Sequence, residues 1–178
     1  MSQASAFIPA RQIALSEAEF RLLQQLFFDQ VGIQLPPVKK PLLCGRLAKR
    51  LAALQMNSYK QYYNLLVTRE GARELEIAID LITTHETYFF REPQHFNYLE
   101  QKILPQVAQQ ADFRVWSAAS STGEEAYTLA MLLDMHRSPK PWSVVGTDVS
   151  LAVLESARKG LFVEGRGDKI PLHYRKRY

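Results

Sequence analysis

Residues 115–125, Val-Trp-Ser-Ala-Ala-Ser-Ser-Thr-Gly-Glu-Glu, combine a short apolar segment, a loop of small side chains and two adjacent carboxylates. Small residues after a strand let the backbone approach a ligand closely. A second apolar segment ends at Asp148, roughly 20 residues beyond this loop, where a carboxylate can bind the two hydroxyls of a ribose. The spacing indicates the first half of a nucleotide-type cofactor site.

The loop by itself does not identify the ligand, because it has one glycine, Gly123, where a dinucleotide-binding loop has three. A dehydrogenase is therefore disfavoured. The alternative interpretation is an ordinary turn between a strand and a helix. Thr122 would then be the helix cap, with Glu124 and Glu125 placed favourably in the first turn.

Length and composition are those of a folded protein with one medium domain or two small ones, since 47% of the 178 residues are hydrophobic. No apolar run approaches the roughly 18 residues that span a bilayer, and residues 1–10 lack the order of a signal peptide. We therefore expect a cytoplasmic protein without membrane insertion. The net charge of +4 permits an acidic partner without requiring one.

The cysteine and histidine content disfavours metal and disulfide chemistry. Cys44 is the only cysteine, so a disulfide within the chain and a thiolate metal cluster are excluded. The histidines show no ligand spacing on one helix face, and we expect no metal site; they are His85, His95, His136 and His173.

The N-terminal part of the chain, up to about residue 110, has helical periodicity. Ser16 with Glu19, and Ser58 with Gln61, have the spacing of capping boxes that begin the first and third helices, and Gly32 should end the first. Five helices are predicted, with Pro41 in the first turn of the second and Pro93 opening the fifth. Each has an apolar stripe at helical spacing. In chain order the stripes are Phe20, Leu23 and Phe27; Leu43, Leu47, Leu51 and Leu54; Tyr59, Tyr62, Tyr63 and Leu66; Leu75, Ile79 and Ile82; and Phe96, Leu99, Ile103 and Val107.

Beyond Asp112 the pattern changes to strand, helix, strand, helix. The predicted strands cover residues 113–118 and 142–147, and the predicted helices cover 124–135 and 150–159, the last closed by Gly160. Such alternation is typical of a parallel sheet with helical crossovers. We predict a helical domain over residues 1–82, a linker and connecting helix over 83–110, and an α/β domain over 111–178.

Three segments in this order resemble the chemotaxis-receptor methyltransferase family. They are residues 83–92, Thr-Thr-His-Glu-Thr-Tyr-Phe-Phe-Arg-Glu; the loop at 116–125; and residues 146–148, Gly-Thr-Asp, with the helix that follows. The first is the most diagnostic, because core packing alone does not require an apolar pair and an arginine after a threonine-rich turn. The resemblance covers nearly the whole chain.

The resemblance implies an α/β protein in which an all-helical bundle precedes the first part of a Rossmann-like class I S-adenosylmethionine methyltransferase domain. The implied reaction moves a methyl group from S-adenosylmethionine to glutamate side chains of bacterial chemoreceptors. S-adenosylhomocysteine is the implied product.

The resemblance also assigns roles to single residues. Thr87 and Arg91 look like the family's cofactor-contacting threonine and arginine. Glu124 is similar to the carboxylate that meets the methionine amino group, and Asp148 matches the residue that binds the ribose hydroxyls. Each also has a plain structural interpretation, as a turn, cap or ion-pair residue. The implied cofactor-binding residues are His85, Thr87, Arg91, Gly123, Glu124 and Asp148.

Two positions depart from the family pattern. His85 stands where asparagine is expected, and Ser120 stands where the family often has cysteine. The first departure changes one expected cofactor hydrogen bond, because imidazole does not present the paired donor and acceptor of an amide. The second is a mild change.

Methylation of a glutamate needs orientation more than proton transfer. The attacking carboxylate, with an ordinary pKa of about 4.3, is already ionised at neutral pH, so no general base is required. The enzyme must hold carboxylate, methyl and sulfur in line and exclude water. Arg91 is the predicted catalytic residue, because a guanidinium fork can position a carboxylate through two hydrogen bonds.

Four basic residues lie in a stripe beside the leucines of the second predicted helix: Lys39, Arg46, Lys49 and Arg50. From the residues alone, a solvated basic face is the simpler interpretation. The resemblance implies receptor binding, since the corresponding helix of the family contacts the acidic methylation region of the receptor coiled coil. Such a stripe would speed encounter more than it adds affinity.

Only two strands are encoded, and their outer edges carry Val115, Val144 and Val145. Unpaired apolar edges suit a soluble monomer poorly, so we expect a fragment, or a chain that covers its edges by dimerisation or strand exchange. Two alternatives to a protein-glutamate methyltransferase stay open. One is a non-catalytic receptor-binding or signalling module with an inert cofactor half. The weaker one is a nucleic-acid methyltransferase, for which the chain lacks an aromatic stacking platform; we expect no nucleic-acid partner.

Overall fold

The computed structural model describes residues 13–178, which form two compact units divided between Thr83 and Thr84. Helices of the first unit are α1 (Glu17–Val31), α2 (Lys40–Ala53), α3 (Tyr59–Leu66) and α4 (Ala72–Ile82), with a 3-10 turn at Pro37–Lys39 before α2. Within residues 13–178, every helix is too short or too polar to span a bilayer.

Hydrogen bonds at the helix ends test the predicted caps. Ser16 Oγ accepts from the Glu19 N–H at 3.3 Å and the Glu19 carboxylate accepts from the Ser16 N–H at 3.0 Å, which confirms the first capping box. At α3, Ser58 Oγ accepts from the Gln61 N–H at 3.2 Å, but the Gln61 side chain accepts from Asn57. The second box is therefore wrong in its return bond, because the glutamine reaches one residue further back.

The predicted stripes of the four helices meet in one core. Leu54, Tyr63 and Leu75 are only partly buried at its margin. Burial along each stripe accounts for the bundle, since fully burying one large apolar side chain contributes about 1.5–3 kcal/mol. The buried helical residues are Phe20, Leu23, Phe27, Leu43, Leu47, Leu51, Tyr59, Tyr62, Leu66, Ala78, Ile79 and Ile82.

The second unit is α/β. Its elements are α5 (Pro93–Tyr98), a wide π-helical turn (Leu99–Ile103), α6 (Leu104–Gln106), β1 (Phe113–Ala118), α7 (Glu124–Arg137), β2 (Trp142–Thr147), α8 (Leu151–Lys159) and α9 (Leu172–Arg175). The strands pair in parallel, with Phe113 opposite Trp142 and Ala118 opposite Thr147. Both predicted strands and their parallel pairing are confirmed, and their carboxyl ends lie at one edge.

The fifth predicted helix begins at Pro93 as expected, but one position of its stripe is wrong, because Leu104 takes the buried place predicted for Ile103. The wide turn adds a residue, so Leu104 is buried and Ile103 only half-buried. Pro105 accounts for the shift, because proline has no backbone N–H and its ring disturbs the preceding turn. Packed with Leu104 are Phe96, Leu99, Val107, Leu129, Leu132 and Leu133.

Helix α7 covers one face of the two strands through the apolar cluster that includes Val115 and Val144. On the other face Trp116 and Val145 are 68% and 56% exposed. The Trp116 indole N–H donates to the Thr147 hydroxyl at 2.9 Å, across the two strands. The strands thus present their carboxyl ends beside the start of α7.

Candidate functional site

The loop after β1 is hydrogen-bonded to the carboxyl end of β2. The Ser120 N–H donates to the Thr147 carbonyl at 2.8 Å, and the Ser121 N–H donates to Asp148 Oδ2 at 2.8 Å. A Cβ on Gly146 would lie 2.9 Å from Ser120 Oγ, so glycine is needed for this close approach. The loop is therefore held where parallel strands typically present a ligand site.

Backbone strain is concentrated in the same loop. Ala119 and Ser121 have φ of 60° and 50°, in the left-handed region that non-glycine residues rarely adopt. Each such residue costs about 1–3 kcal/mol, and such residues cluster at functional sites. Gly123, with φ of 100°, makes the last turn into α7, and a Cβ there would lie 3.0 Å from the Ala157 side chain.

Glu124 begins α7 and has 0% of its surface exposed. The Thr122 hydroxyl donates to Glu124 Oε2 at 2.6 Å, so Thr122 does not cap α7 as the plain-turn interpretation expects; the cap is Gly123. Glu124 Oε1 has no hydrogen-bond partner within residues 13–178, and neither has the buried hydroxyl of Ser121. Buried polar atoms are normally paired, so these two oxygens indicate a ligand-binding position.

Asp148 is held by two backbone N–H groups. Oδ1 accepts from Ser150 at 3.0 Å and Oδ2 from Ser121 at 2.8 Å. Ser150 caps α8, since its hydroxyl accepts from the Val153 N–H at 3.3 Å. A carboxylate has about four acceptor positions, so Asp148 can accept further hydrogen bonds from a ligand.

The turn before Arg91 is joined to α7 by one buried hydroxyl. The Phe90 N–H donates to Thr128 Oγ1 at 3.2 Å, and Thr128 Oγ1 donates to the Glu124 carbonyl at 2.7 Å. Phe90 and Glu92 both have left-handed φ, 57° and 55°. The diagnostic segment is therefore fixed beside the first turn of α7.

Arg91 itself is exposed, and its guanidinium donates to the Glu86 carbonyl. The guanidinium lies 6.0 Å from the centre of the Tyr88 ring. In the described part of the chain it forms no ion pair with Glu124 or Asp148. Glu124 and Asp148 thus both adjoin the loop after β1, whereas the Arg91 guanidinium folds back over its own turn.

Thr87 and His85 lie in the same segment, and both are half-buried. The Thr87 carbonyl accepts from Arg166 Nη1 at 3.1 Å, and Arg166 Nη2 lies 3.2 Å from Glu124 Oε1. Arg166 therefore connects Thr87 to Glu124. Sequence reasoning missed Arg166, because no spacing rule links it to the loop; the one available indication was that a buried carboxylate needs a cation.

The predicted basic stripe divides into two pairs. Lys39 and Lys49 are exposed. Arg46 donates to the carbonyls of Ile82 and Thr83 at 2.7 and 2.8 Å, at the end of α4. Half of the stripe is therefore accessible, and Arg46 has a role within the unit.

Arg50, the fourth residue of the stripe, forms two hydrogen bonds to Glu74, at 2.8 and 2.5 Å. The Tyr62 hydroxyl also donates to Glu74, at 2.8 Å. Burial opposes ionisation of Glu74, but the Arg50 and Tyr62 hydrogen bonds outweigh it and leave the Glu74 pKa below its ordinary value. Burial, followed by the contact with Glu74, raises the pKa of Tyr62.

The site at the strand ends offers hydrogen-bond acceptors for an ammonium group and for the hydroxyls of a ribose. Glu124 Oε1 can accept from an ammonium, Asp148 can accept from hydroxyls, and Gly146 lets the loop backbone come close. Residues 13–178 contain no group of three or more histidine, cysteine or carboxylate side chains that could hold a metal ion. The arrangement fits S-adenosylmethionine.

Comparisons with known proteins match both units. Residues 18–83 match the family described as CheR methyltransferase, all-alpha domain, and residues 85–178 match CheR methyltransferase, SAM binding domain. A chemotaxis protein methyltransferase of Escherichia coli strain K12 is 38% identical over 153 residues, which is 85% of this chain and 52% of the relative.

Two further relatives are also chemotaxis protein methyltransferases. A chemotaxis protein methyltransferase of Borreliella burgdorferi is 34% identical over 93% of this chain and 62% of its own length. Chemotaxis protein methyltransferase 2 of Pseudomonas aeruginosa is 32% identical over 90% of this chain and 57% of its own length. The chain thus spans between about half and three fifths of the length of these curated relatives.

Proposed function

Because the chain belongs to the CheR methyltransferase family, we propose that it binds S-adenosylmethionine at the carboxyl ends of β1 and β2 and methylates glutamate side chains on the cytoplasmic helices of chemoreceptors. The family supports methyl transfer with this cofactor in chemotaxis. The glutamate target and the receptor partner are the proposed refinements.

The observation that carries the proposal is the state of Glu124. A fully buried carboxylate oxygen without a hydrogen bond is costly unless a ligand completes it. An ammonium group supplies the missing donor and, like the Arg166 guanidinium 3.2 Å from Oε1, a charge opposite to that of Glu124. In the proposed complex Glu124 binds the α-ammonium of the cofactor, and Asp148 binds its ribose hydroxyls.

The remaining predicted residues surround this pair in the proposal. Gly123 and the strained loop allow backbone contact with the cofactor, and His85 and Thr87 flank the site from the preceding segment. Arg91 is the proposed catalytic residue, which orients the receptor glutamate. Its exposure supports this role, because the guanidinium can exchange the Glu86 carbonyl for a substrate carboxylate.

The proposed reaction requires no general base from the protein. Bound S-adenosylmethionine supplies an electrophilic methyl group. The substrate glutamate is ionised at neutral pH, so the chain's task is to orient this carboxylate and exclude water. This agrees with a site built from hydrogen-bond acceptors, with the exposed Arg91 guanidinium as the proposed orienting group.

Calorimetry with S-adenosylhomocysteine tests the cofactor site. The unaltered chain should bind this product, and Glu124→Gln should bind it at least about tenfold more weakly, because a charged hydrogen bond is lost. Glu155→Gln is the matched control, since Glu155 is exposed on α8 and the change removes the same charge. Absence of binding by the unaltered chain would refute the cofactor assignment.

A receptor-binding module without catalysis is the second candidate. The first unit supports it, because this unit has its own buried core and matches the all-alpha domain of the family. Methylation of a purified receptor fragment with radiolabelled S-adenosylmethionine separates the two candidates. Incorporation on glutamate supports the enzyme, and receptor binding without incorporation supports the module.

A further inference from the structure

Arg166 lies in residues 161–170, a segment of successive turns between α8 and α9. One end is anchored by Phe162, whose ring packs against those of Phe89 and Tyr127 at 4.8 and 5.6 Å between centres. The other end is anchored by Ile170, which packs against the cluster that contains Phe89. Successive turns lie between the anchors, including an Arg166 N–H to Val163 carbonyl bond of 3.1 Å.

The contact between Arg166 and Glu124 is an ion pair without a hydrogen bond. Arg166 Nη2 is 3.2 Å from Glu124 Oε1, yet that oxygen has no hydrogen-bond partner in the described residues. The guanidinium therefore balances the charge of Glu124 and leaves its acceptor unused. A buried carboxylate needs such a counter-ion, because an unpaired buried charge is strongly destabilising.

The two partners differ in how easily they can separate. The Arg166 side chain is 42% exposed, whereas Glu124 is fully buried. Water can solvate a released guanidinium, so losing the pair costs Arg166 little. Glu124 can lose its partner only when another cation replaces it.

We propose that Arg166 is the internal counter-ion of Glu124 and that the α-ammonium of the cofactor replaces it, which makes Arg166 a specificity-determining residue for ligands with a cationic head group. This inference rests on the proposed function. An ammonium has three donors and can complete the hydrogen bond that the guanidinium leaves open. An adenosine ligand without an ammonium cannot replace Arg166 and gains nothing at Glu124.

Calorimetry with two ligands tests the inference in the full chain. S-adenosylhomocysteine carries the ammonium, and 5′-methylthioadenosine lacks the amino acid. Arg166→Gln removes the competitor, so S-adenosylhomocysteine should bind about threefold to tenfold more tightly while the affinity for 5′-methylthioadenosine stays within about twofold. Arg114→Gln is the matched control, since Arg114 is exposed near the opposite ends of the strands and should change neither affinity.

Other results overturn the inference. Unchanged affinity for both ligands in Arg166→Gln shows that Arg166 does not compete. Weaker binding of S-adenosylhomocysteine alone shows that Arg166 holds the ligand's carboxylate instead, and weaker binding of both shows that it only shapes the site. If the unaltered chain binds neither ligand, the proposed function fails as well; in the other cases it stands.

Trypsin cleavage after Arg166 provides a readout that does not depend on affinity. A guanidinium held by Glu124 and the Thr87 carbonyl should be protected. S-adenosylhomocysteine should speed cleavage at Arg166 relative to Lys169, measured by mass spectrometry, and 5′-methylthioadenosine should not. Glu124→Gln should speed the same cleavage without ligand; an unchanged rate there would contradict the ion pair's role.

Discussion

The Phe90 N–H donates to the Thr128 hydroxyl at 3.2 Å, and this contact helps to hold the turn that carries Arg91 against helix α7. Thr128 also donates to the Glu124 carbonyl, at 2.7 Å. One hydroxyl therefore relates the proposed catalytic guanidinium to the helix that begins with the proposed ammonium-binding carboxylate.

Thr128→Val should loosen this connection. Valine has nearly the same shape, but it leaves the Phe90 N–H without an acceptor, which costs about 1–3 kcal/mol of unfolding free energy. Denaturant unfolding measures the loss. Thr128→Ser keeps the hydroxyl and should recover most of the stability; equal losses in the two variants would show that the methyl group, and not the hydrogen bond, matters.

Glu74 should make the first unit sensitive to acid. Its pKa is lowered in the folded state, so its stabilising effect is complete above the unfolded value of about 4.3 and disappears as the pH falls through the lower folded value. Glu74→Gln should destabilise the unit at pH 7 by about 1–3 kcal/mol, because Arg50 and Tyr62 lose their ionised partner.

Comparing the stability of the unaltered protein with that of Glu74→Gln separates the effect of Glu74 from the effects of other carboxylates. Unfolding of both proteins between pH 7 and pH 3 should show a stability gap that narrows only below about pH 4.3. A stability difference that is constant across this range would mean that the stabilising effect of Glu74 does not depend on its charge. Glu76→Gln, an exposed change on α4, should show no gap.

Local sequence patterns predicted much of the fold because local interactions determine those parts. The strands at 113–118 and 142–147 were predicted at their observed bounds, and Gly160 ends α8 as expected, whereas Ser150, predicted as the first helical residue, is the cap. Their limits depend on nearby caps and on alternation of apolar residues. The shift from Ile103 to Leu104 was missed, since the wide turn before Pro105 changes the helical period.

The placement of the two carboxylates of the candidate site was predictable, and the contacts of the basic residues were less so. The paired positions of Glu124 and Asp148 follow from parallel strands, whose carboxyl ends meet at one edge. The contact of Arg166 with Glu124 spans 42 residues and depends on how the turns after α8 fold back. The partners of Arg46 and Arg50 lie on α4 and at its carboxyl end, so a stripe on α2 alone could not show them.

Gly146→Ala should disturb the loop without disrupting the strands. The added Cβ would lie 2.9 Å from Ser120 Oγ and 3.1 Å from its Cβ, so the loop must move. We expect a loss of about 1–3 kcal/mol in stability and weaker binding of S-adenosylhomocysteine. Thermal unfolding and calorimetry measure the two effects.

Gly45→Ala provides the opposite control. Among residues 13–178, no atom outside the neighbouring backbone of α2 lies within 4 Å of a Cβ built there, and Gly45 is in the interior of α2. Alanine should stabilise the helix by up to about 1 kcal/mol and leave ligand binding unchanged. If Gly146→Ala binds the ligand with unaltered affinity, the close approach of the loop is not needed for binding.

Lys39→Glu combined with Lys49→Glu should slow receptor methylation without changing cofactor affinity. Both side chains are exposed, so the fold should be unaffected, whereas Arg46 and Arg50 hold structural partners. The methylation rate at low receptor concentration should fall about tenfold in low salt, and the difference should shrink as salt screens the charges. Arg69→Glu with Arg73→Glu makes the same charge change on exposed positions near α4, and an equal effect there would reduce the result to net charge.

Arg91→Lys should reduce the rate of methylation and leave the fold intact. Lysine keeps the charge but loses the planar fork that can hold a glutamate carboxylate through two hydrogen bonds, so we expect kcat to fall by about tenfold or more. In the part of the chain that the structure describes, the Arg91 guanidinium donates a hydrogen bond to the Glu86 carbonyl of its own turn, so the unfolding midpoint should stay unchanged. Radiolabel transfer to a receptor fragment gives kcat and KM separately. A lower kcat at unchanged S-adenosylhomocysteine affinity supports a role of Arg91 in orienting the substrate. An unchanged kcat removes Arg91 from the catalytic step, because a positive charge at this exposed position would then be sufficient.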